Sequence, residues 1–331
     1  MAITMREVAE EAGVSIKTVS RVVNEQGEIT DTTRQRVLEA IKKLGYRPSK
    51  VARALVTRRT DTIGLLIGDI ANPYFSEVAR GVLEAAQEDE YDVFVCNTGG
   101  VPGPEKKALN SLLDHNVDGA VIYPTYENIT WFGDIGDSGR PLVLVNFDTD
   151  PLPGLGIVRT RIEKGAREAV DYLIQKGHRE IGMIAGEVAP LEDISRVRGY
   201  RASLESHGIQ FREELILLGP PVIEHGYETA RDLLKRNPKI TAIFCYNDLL
   251  AMGAVKWCKD MGIRVPGDIA IIGYDNIIFS EMIEPALTTI HVDKYEIGKQ
   301  STSLLLKMLK NPDVPYPTLF VDTELIIRES A

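Results

Sequence analysis

From residue 62 onward, short runs of apolar residues alternate with segments whose apolar residues recur every three or four positions. The apolar runs are residues 62–70, 92–97, 119–123, 141–147, 180–185, 242–246 and 269–274. The periodic segments include one with Phe75, Val78, Val82 and Ala85 and another with Ala166, Val170, Leu173 and Ile174. Short buried strands that alternate with helices predict parallel sheets covered by helices on both faces. Because roughly 270 residues exceed one such core, we expect an α/β body of two doubly wound parallel-sheet subdomains.

The first sixty residues instead predict short helices. Thr4 and Glu7 form a capping box, which predicts a helix over Met5–Ala12. After a turn at Gly13, Ser15 can cap a second helix. The second and third helices are expected over residues 16–24 and from a Thr30 cap to Gly45. On the second helix, three valines at positions 19, 22 and 23 form one apolar stripe that faces the other helices.

Two short helices joined by a tight turn, with a third that closes the core, form an all-α helix-turn-helix. The second helix of such a unit enters the major groove, where Lys17 or Arg21 can donate to guanine and Ile16 can contact a thymine methyl. Short polar side chains near helix starts suit phosphates. The residues predicted to contact DNA here are Thr4, Ser15, Ile16, Lys17, Thr18, Ser20, Arg21, Asn24, Thr30 and Thr33. The same periodicity also fits a three-helix bundle with an ordinary polar face.

Residues 47–60 predict a linker that becomes helical only with a partner. Pro48 can open a short helix, but the segment has too few apolar residues to fold alone. Leu55 stands among basic residues and suits a wedge in the minor groove, and the alternative is a leucine packed on its own protein. The residues predicted to contact DNA here are Tyr46, Ser49, Lys50, Ala52, Arg53 and Leu55.

The distribution of charge supports a nucleic-acid partner for the N-terminal end only. The chain of 331 residues has a net charge of −10. Residues 1–60 hold twelve Lys and Arg against seven Asp and Glu, an excess of five positive charges, which leaves −15 for residues 61–331. A basic module on an acidic body is the pattern expected when one end meets phosphates. Since the sequence lacks a secretory signal and a long apolar run, we expect a soluble protein of the cytoplasm, associated with the nucleoid, with no membrane partner.

Signals for catalysis or metal binding are weak. Three cysteines, Cys96, Cys245 and Cys258, have neither the even number nor the spacing of a disulfide framework or zinc site. The five histidines show no metal-ligand spacing, and the glycines near residue 154 lack the third glycine of a dinucleotide fingerprint. We therefore expect no enzyme activity, no metal and no cofactor.

Several segments resemble the lactose-repressor (LacI/GalR) family of regulators. Residues 4–24 (TMREVAEEAGVSIKTVSRVVN), 32–34 and 45–48 resemble its DNA-binding headpiece, and residues 51–55 (VARAL) resemble its hinge helix. The resemblance continues through 63–66 (IGLL), 72–75 (NPYF), 177–182 (GHREIG), 247–253 (NDLLAMG), 272–276 (IGYDN) and 285–290 (PALTTI). The resemblance implies a repressor that forms a homodimer or tetramer and binds operator DNA with an affinity set by a ligand in the body.

The resemblance also implies a domain organisation. A headpiece of residues 1–46 precedes a hinge helix and linker of residues 47–60. Crossings near Arg161, Ile290 and Asp322 divide a body like that of periplasmic binding proteins into two subdomains. The N-terminal subdomain takes residues 61–161 plus 291–322, and the C-terminal one takes 162–290 plus 323–331, with the ligand between them.

Effector contacts are expected where strands end, because ligands of open α/β sheets bind beyond the carboxyl ends of the strands. Carboxylates, amides and arginines there can bind sugar hydroxyls, and aromatic rings can stack on a pyranose or a base. The candidates are Asp69, Asn72, Tyr74, Phe75, Tyr123, Asn146, Phe147, Asp148, Arg196, Asn247, Asp248 and Asp275. The resemblance implies effector contacts at Arg196, Asn247 and Asp275. The alternative role of Asp248 is a helix cap, and that of Asp275 is a turn residue.

Two departures from the family bear on the ligand. Asn146 stands where the family usually has Asp. Residues 219–221 (GPP), before Gly226 and Tyr227, lack the aromatic residue of purine-responsive members. These departures favour a saccharide or sugar phosphate, although Trp131 and the other aromatic residues keep planar ligands such as purines open. A regulator that responds to a protein partner, and a solute-binding protein that does not bind DNA, are the remaining alternatives.

Overall fold

The computed structural model describes residues 3–23, 27–46, 59–100, 104–124, 139–147, 149–150, 153–186, 191, 194–312 and 314–331. The chain divides into two compact units, Met1–Asp61 and Thr62–Ala331. None of the helices within the described ranges is long and apolar enough to cross a membrane. The predicted hinge helix and the candidates Asn24, Ser49, Lys50, Ala52, Arg53, Leu55, Trp131 and Asp148 lie outside the described residues.

The first unit is a bundle of short helices, as its sequence predicts. They are α1 (Met5–Ala12), α2 (Ile16–Val23) and α3 (Asp31–Leu44). Thr4 accepts from the amide of Glu7 while the Glu7 carboxylate accepts from the amide of Thr4, so the predicted capping box is confirmed. The Ser15 hydroxyl accepts from the amide of Thr18 and starts α2. The glycines that end α1 and α3 have φ of +61° and +64°, which side chains with a Cβ rarely adopt.

The core of this unit is small and aliphatic. Val19 and Val22 of α2 pack with Val8 of α1 and Val37 of α3, so the predicted valine stripe faces inward. Tyr46 completes the core. One cap differs from its prediction, because the Thr30 side chain accepts no amide at the start of α3.

The first sheet of the second unit is wholly parallel. Its strands are β1 (Thr62–Ile67), β2 (Asp92–Asn97), β3 (Gly119–Ile122), β4 (Leu142–Val145), β5 (Leu155–Thr160) and β11 (Leu319–Val321), in the order β2-β1-β3-β4-β5-β11. Strand β1 is buried along its whole length, because Leu65 packs on one face and Leu66 packs in a separate cluster with Leu109 and Leu112. Burial on both faces explains why β1 is a continuous apolar run.

The second sheet has the same order of strands. They are β6 (Ile181–Gly186), β7 (Ile216–Gly219), β8 (Ala242–Cys245), β9 (Ala270–Asp275), β10 (Thr288–Val292) and β12 (Thr323–Ile326), in the order β7-β6-β8-β9-β10-β12. Strand β12 runs antiparallel to β10, and the other pairs are parallel. The predicted parallel α/β architecture is therefore confirmed, with one antiparallel edge strand.

Seven helices in the described part of this unit cover the two sheets. Those against the first sheet are α4 (Pro73–Glu88), α5 (Pro104–Asp114) and α10 (Lys294–Lys310), and those associated with the second are α6 (Ile162–Gln175), α7 (Ser195–Ser206), α8 (Ile223–Arg236) and α9 (Asp248–Asp260). Two 3₁₀ turns lie at Glu213–Leu215 and Ile278–Glu281.

The chain passes between the sheets after β5, after β10 and between β11 and β12. The exact subdomain boundaries drawn from the sequence remain predictions.

Helices α4 and α10 pack with their backbones in contact. A Cβ on Gly81 of α4 would lie 2.1 Å from the carbonyl oxygen of Tyr295, and a Cβ on Gly298 of α10 would lie 2.2 Å from that of Val78. Because these neighbours are backbone atoms, no side-chain rotation relieves the overlap. The two helices are thereby held as one layer on the first sheet.

We predict that Gly298→Ala lowers the free energy of unfolding by about 1–3 kcal/mol, because the added methyl group forces α4 and α10 apart. Urea denaturation followed by circular dichroism measures the loss. Lys307→Ala, at an exposed position of the same helix, is the control and should change stability little. Equal stability of Gly298→Ala and the wild type would contradict the close contact.

Candidate functional site

The N-terminal half of α2 presents a mixed polar and apolar surface. Ser15, Ile16, Lys17 and Arg21 are exposed, and Thr18 and Ser20 are half-buried. Ile16 is 49% exposed and lies outside the apolar core of the headpiece. The predicted base-contacting residues thus share one accessible face of α2.

Most of the predicted phosphate contacts also serve the headpiece itself. The hydroxyl of Thr4 donates to the Glu7 carboxylate at 2.9 Å, and the hydroxyls of Ser15 and Thr18 lie 2.9 Å apart. The Thr30 hydroxyl donates to that of Thr33, also at 2.9 Å. Thr4 and Ser15 thus cap the starts of α1 and α2, whereas Thr30 and Thr33 bond to each other at the start of α3.

Two residues of this unit differ from the sequence expectation. Tyr46 was expected at DNA, but it is buried in the headpiece core, and burial raises the pKa of its hydroxyl. Arg36 was not singled out, yet its guanidinium donates to the carbonyl oxygens of Ala12 and Gly13 and so holds the turn between α1 and α2. Its position on α3 gave no local signal of this contact.

The first sheet contributes an aromatic cluster at the ends of β1 and β3. Tyr74, Phe75 and Tyr123 meet edge to face, with ring centroids 5.2–6.2 Å apart. Asn72 caps α4 by accepting from the amide of Tyr74, and the Asp69 carboxylate accepts from the amide of Ala71. Asp69 and Asn72 therefore shape the loop that carries the rings.

The second sheet contributes a buried guanidinium. The Arg196 side chain, at the start of α7, lies between the rings of Tyr246 and Tyr274, 4.1 and 4.2 Å from their centroids. Its Nη2 donates to Oδ1 of Asp275 at 3.2 Å, and the two side chains are only 12% and 7% exposed. Stacking on both faces holds the guanidinium plane in one orientation.

Two polar atoms of this region have no hydrogen-bond partner within the described ranges. They are Nε of Arg196 and the hydroxyl oxygen of Tyr123, and both are buried. A buried donor without a partner is costly, so each atom is suited to a polar group of a ligand.

Burial sets the protonation of this site. It raises the pKa of Asp275 to about 7, and the nearby Arg196 opposes this rise only in part. Burial also disfavours the charged form of Arg196, but Tyr246 and Asp275 outweigh it, so the pKa of Arg196 lies above its usual value. Burial likewise raises the pKa of Tyr74.

Asn247 and Asp248 begin α9 and make structural contacts. Asn247 accepts from the amide of Leu250 at 2.9 Å and donates to the carbonyl oxygen of Pro221 at 3.2 Å. Asp248 is fully buried, and burial raises its pKa to about 6 despite the hydrogen bonds of its carboxylate. Its three hydrogen bonds come from the amide of Ile277 and the hydroxyls of Ser280 and Thr289. This placement supports neither the predicted effector contact at Asp248 nor its alternative role as a helix cap, because Asn247 caps α9 and the Asp248 carboxylate instead ties α9 to the segment after β9 and to β10.

Asn146 and Phe147 lie beside a cavity of about 300 Å³. Oδ1 of Asn146 accepts from the amide and the hydroxyl of Thr160 at 2.7 and 2.9 Å, so this side chain joins the ends of β4 and β5. The other lining residues are Arg159, Arg161, Ile162, Glu163, Lys164, Ser195, Arg198 and Phe320. Asn146 and Arg159 belong to the side of the first sheet, and Ser195 and Arg198 belong to α7, which is associated with the second sheet. The cavity therefore opens between the two sheets.

A second cavity of about 600 Å³ lies on the side of Asn276, the neighbour of Asp275 in the chain. It is lined by Pro73, Ser76, Glu77 and Arg80 of α4, by Asn276, Ile277, Ile278 and Glu281, and by Arg328. Asn276 lines this cavity, and Ser195, the neighbour of Arg196 in the chain, lines the first one.

Three residues near Asp275 were not predicted as site residues. Tyr246 and Tyr274 stack on Arg196, and their positions at the ends of β8 and β9 were a usable signal. Lys294 donates to the backbone of Asp275, a contact that depends on tertiary packing alone. Among the described residues, no cluster of His, Cys, Asp and Glu could hold a metal ion.

Sequence comparison identifies relatives over the full length of the chain. A model described as "Bacterial regulatory proteins, lacI family" matches residues 4–49, and one described as "Periplasmic binding protein-like domain" matches residues 170–331. Catabolite control protein A of Priestia megaterium is 34% identical over 333 residues, which cover 100% of this chain and 99% of that protein. The HTH-type transcriptional repressor PurR of Mannheimia succiniciproducens is 34% identical over 329 residues, 99% of this chain and 98% of that protein.

Solved structures agree with these relatives. The lac repressor dimer bound to operator and the anti-inducer ONPF superposes with a TM-score of 0.87 at 26% identity, over 100% of this chain and 99% of that chain. The complex of the transcriptional regulator CelR with cellobiose gives a TM-score of 0.75 at 29% identity, over 99% and 100%. The relatives are transcriptional regulators rather than enzymes. The chain therefore belongs to the LacI family of bacterial transcriptional regulators.

Proposed function

We propose that this protein is a repressor of the cytoplasm that binds a pseudo-palindromic operator as a dimer and responds to a saccharide or sugar derivative. The observation that carries the choice of effector site is the Arg196 guanidinium, fixed between two tyrosines beside Asp275 with a buried N–H unpartnered within the described ranges. The face of α2 is the proposed base-contacting surface.

The DNA-binding role follows from the surface of α2 and the charge of the first sixty residues. Lys17 and Arg21 offer the long donors that guanine requires, and the exposed Ile16 offers an apolar contact for a thymine methyl. The excess of five positive charges in this part of the chain favours phosphate contacts. A helix-turn-helix places the start of its second helix in the major groove, where these three side chains would lie.

The polar groups of the effector site suit adjacent hydroxyl groups. A hydroxyl both donates and accepts, and Arg196 and Asp275 offer donors and an acceptor side by side. The Tyr123 hydroxyl adds another polar atom, and the rings of Tyr74 and Phe75 offer the apolar surface on which a pyranose packs. The ligands bound in the structures of similar proteins, cellobiose in CelR and ribose in a LacI-family regulator of Enterococcus faecium, support this choice.

A purine is the second candidate, because a repressor named PurR is among the relatives. Residues 219–221, where the resemblance implies an aromatic residue in purine-responsive members, are glycine and prolines, and the Pro221 carbonyl oxygen already accepts from Asn247. A flat base would lack an aromatic partner on that side. The saccharide is therefore favoured.

An exposed apolar patch supports association of two copies. Val222 and Ile223 follow β7, and Ile278, Phe279 and Met282 follow β9, all of them at least 39% exposed. The two segments are neighbours, because Asn247, the cap of α9, donates to Pro221 and Asp248, the first residue of α9, accepts from Ile277. Such a patch is typical of an interface, and the similar lac repressor is described as a dimer. A two-fold dimer accounts for a pseudo-palindromic operator.

A ligand bound between the two proposed subdomains would control DNA binding. The proposed subdomains, 61–161 plus 291–322 and 162–290 plus 323–331, each supply part of the cluster. A ligand that prefers one arrangement of the two halves shifts the population towards it and so changes operator affinity. The direction of that change depends on which arrangement the ligand prefers.

We predict that Arg21→Ala removes about 1–3 kcal/mol of discrimination between the operator and random DNA, because a base contact is lost. Fluorescence anisotropy on DNA selected by the wild-type protein from a random pool measures both affinities. Arg6→Ala, a charge change on the exposed side of α1, is the control and should leave discrimination intact. Intact discrimination in Arg21→Ala would refute the assignment of α2.

We predict that Arg196→Lys weakens effector binding at least about tenfold, because an ammonium lacks the stacked plane and the fork of donors. Isothermal calorimetry with cellobiose, ribose, glucose 6-phosphate, guanine and hypoxanthine identifies the ligand class and measures the loss. Arg201→Lys, one turn further along α7 and paired with Glu205, is the matched control. Binding of the purines alone would reject the saccharide, and equal affinity in Arg196→Lys would reject the site.

The buried Asp275 also predicts a pH dependence of stability in the absence of ligand. Its pKa rises from 3.8 to about 7 on folding, so its contribution is complete below about pH 4 and is lost as the pH rises through 7. Urea unfolding between pH 5 and 8 should therefore show a steeper loss of stability for the wild type than for Asp275→Asn. Asp248, whose pKa burial raises to about 6, is present in both proteins. Parallel pH profiles would contradict the burial of the Asp275 carboxyl.

A further inference from the structure

Lys294, the first residue of α10, is a buried lysine whose donors are all used. Its side chain is 2% exposed. Its ammonium donates to the carbonyl oxygens of Asp275, Asn276 and Val292 at 2.7, 2.9 and 3.1 Å. A lysine has three N–H donors, so these bonds satisfy the group. Burial of an ammonium is unfavourable without such partners, which indicates that this position serves the backbone it contacts.

The backbone that Lys294 contacts is strained. Asp275 and Asn276 have φ of +105° and +51°, two consecutive left-handed residues that carry a Cβ. Such conformations are unfavourable and persist only where the surroundings hold them. Lys294 bonds to the carbonyl oxygens of both residues. Asp248 and Arg328 hold the turn from other sides, through the amide of Ile277 and the side chain of Asn276.

The same ammonium is close to the first sheet. Oε2 of Glu77, on α4, lies 3.9 Å from Nζ of Lys294. Helix α10 rests on β3, β4 and β5 and contacts α4 at Gly81 and Gly298. Asp275, by contrast, ends β9 of the second sheet. Lys294 thus joins the strained turn at the end of β9, in the second sheet, to the pair of helices α4 and α10 on the first sheet.

Helix α4 carries the aromatic part of the effector site. It begins at the Asn72 cap, and Tyr74 and Phe75 lie in its first turn, with Glu77 just beyond them. A connection from Asp275 to Glu77 therefore links the carboxylate and the aromatic cluster of the same site.

We propose that Lys294 is a positioning residue of the effector site, which holds the Asp275–Asn276 turn in its left-handed conformation and ties it to α4. The proposal rests on the proposed function only in treating this cluster as a ligand site. The hold on the turn is a property of the protein without ligand.

Hydrogen exchange measured by mass spectrometry on the full chain tests the proposal. Lys294→Met removes the ammonium and keeps an unbranched apolar stem. We expect the peptide that contains residues 275–281 to exchange about tenfold faster, and the peptide that contains residues 73–80 to exchange faster as well. Met308→Ala is the control, because it creates a cavity further along α10 but does not touch the turn. The two variants are compared at urea concentrations that give them equal global stability.

Equal exchange of residues 275–281 in Lys294→Met and Met308→Ala would overturn the proposal. If Lys294→Met does not fold, Lys294→Gln, which keeps two N–H donors, is measured in the same way and should give a smaller acceleration. Calorimetry with cellobiose on the wild-type chain separates the two claims. Local acceleration in Lys294→Met, beside a wild type that binds no cellobiose, supports the role of Lys294 and rejects only the sugar, whereas unchanged exchange in Lys294→Met with sugar binding by the wild type rejects the role of Lys294 alone.

Discussion

The burial of Arg196 beside Asp275 is the interaction on which the proposed site depends. Removing an ion pair from water is unfavourable unless hydrogen bonds and good geometry replace the lost solvation. The rings of Tyr246 and Tyr274 stack on the two faces of the guanidinium, but its Nε has no hydrogen-bond partner in the described part of the chain. Burial raises the pKa of Asp275, and the neighbouring Arg196 opposes this rise only in part. A ligand that supplies hydroxyl groups would complete the replacement of the lost solvation, which explains how a small molecule can stabilise one arrangement of the two halves.

The sequence is a good guide to the strands that form continuous apolar runs and a poor one to the others. Strand β1 is a continuous apolar run because helices cover both of its faces, and it was predicted. Strand β5 was not predicted, since Gly156 and Arg159 interrupt its apolar pattern. Strand β7 lies at a sheet edge, where Leu218 is exposed and local pattern carries little information. The headpiece was predicted almost fully, because caps and turns are local signals.

The candidate site was located from strand ends, but roles within it could not be assigned from the sequence. Asp248 and Asp275 both follow buried strands, and the pattern alone does not distinguish them. Only tertiary contacts show that the Asp248 carboxylate accepts hydrogen bonds from Ser280 and Thr289, whereas the Asp275 carboxylate accepts one from the Arg196 guanidinium. Lys294 gave no sequence signal, because its partners are backbone carbonyl groups brought near by the packing of α10.

The central claim is that one ligand site and one DNA-binding surface share a single equilibrium. Its most direct test measures operator affinity with and without the saturating sugar, and sugar affinity with and without operator, on the full chain. Linkage requires the two affinities to change by the same factor, which is typically about 5–150 for coupled sites. We expect equal factors within that range. A sugar that binds at Arg196 and Asp275 but leaves operator affinity unchanged would contradict the claim.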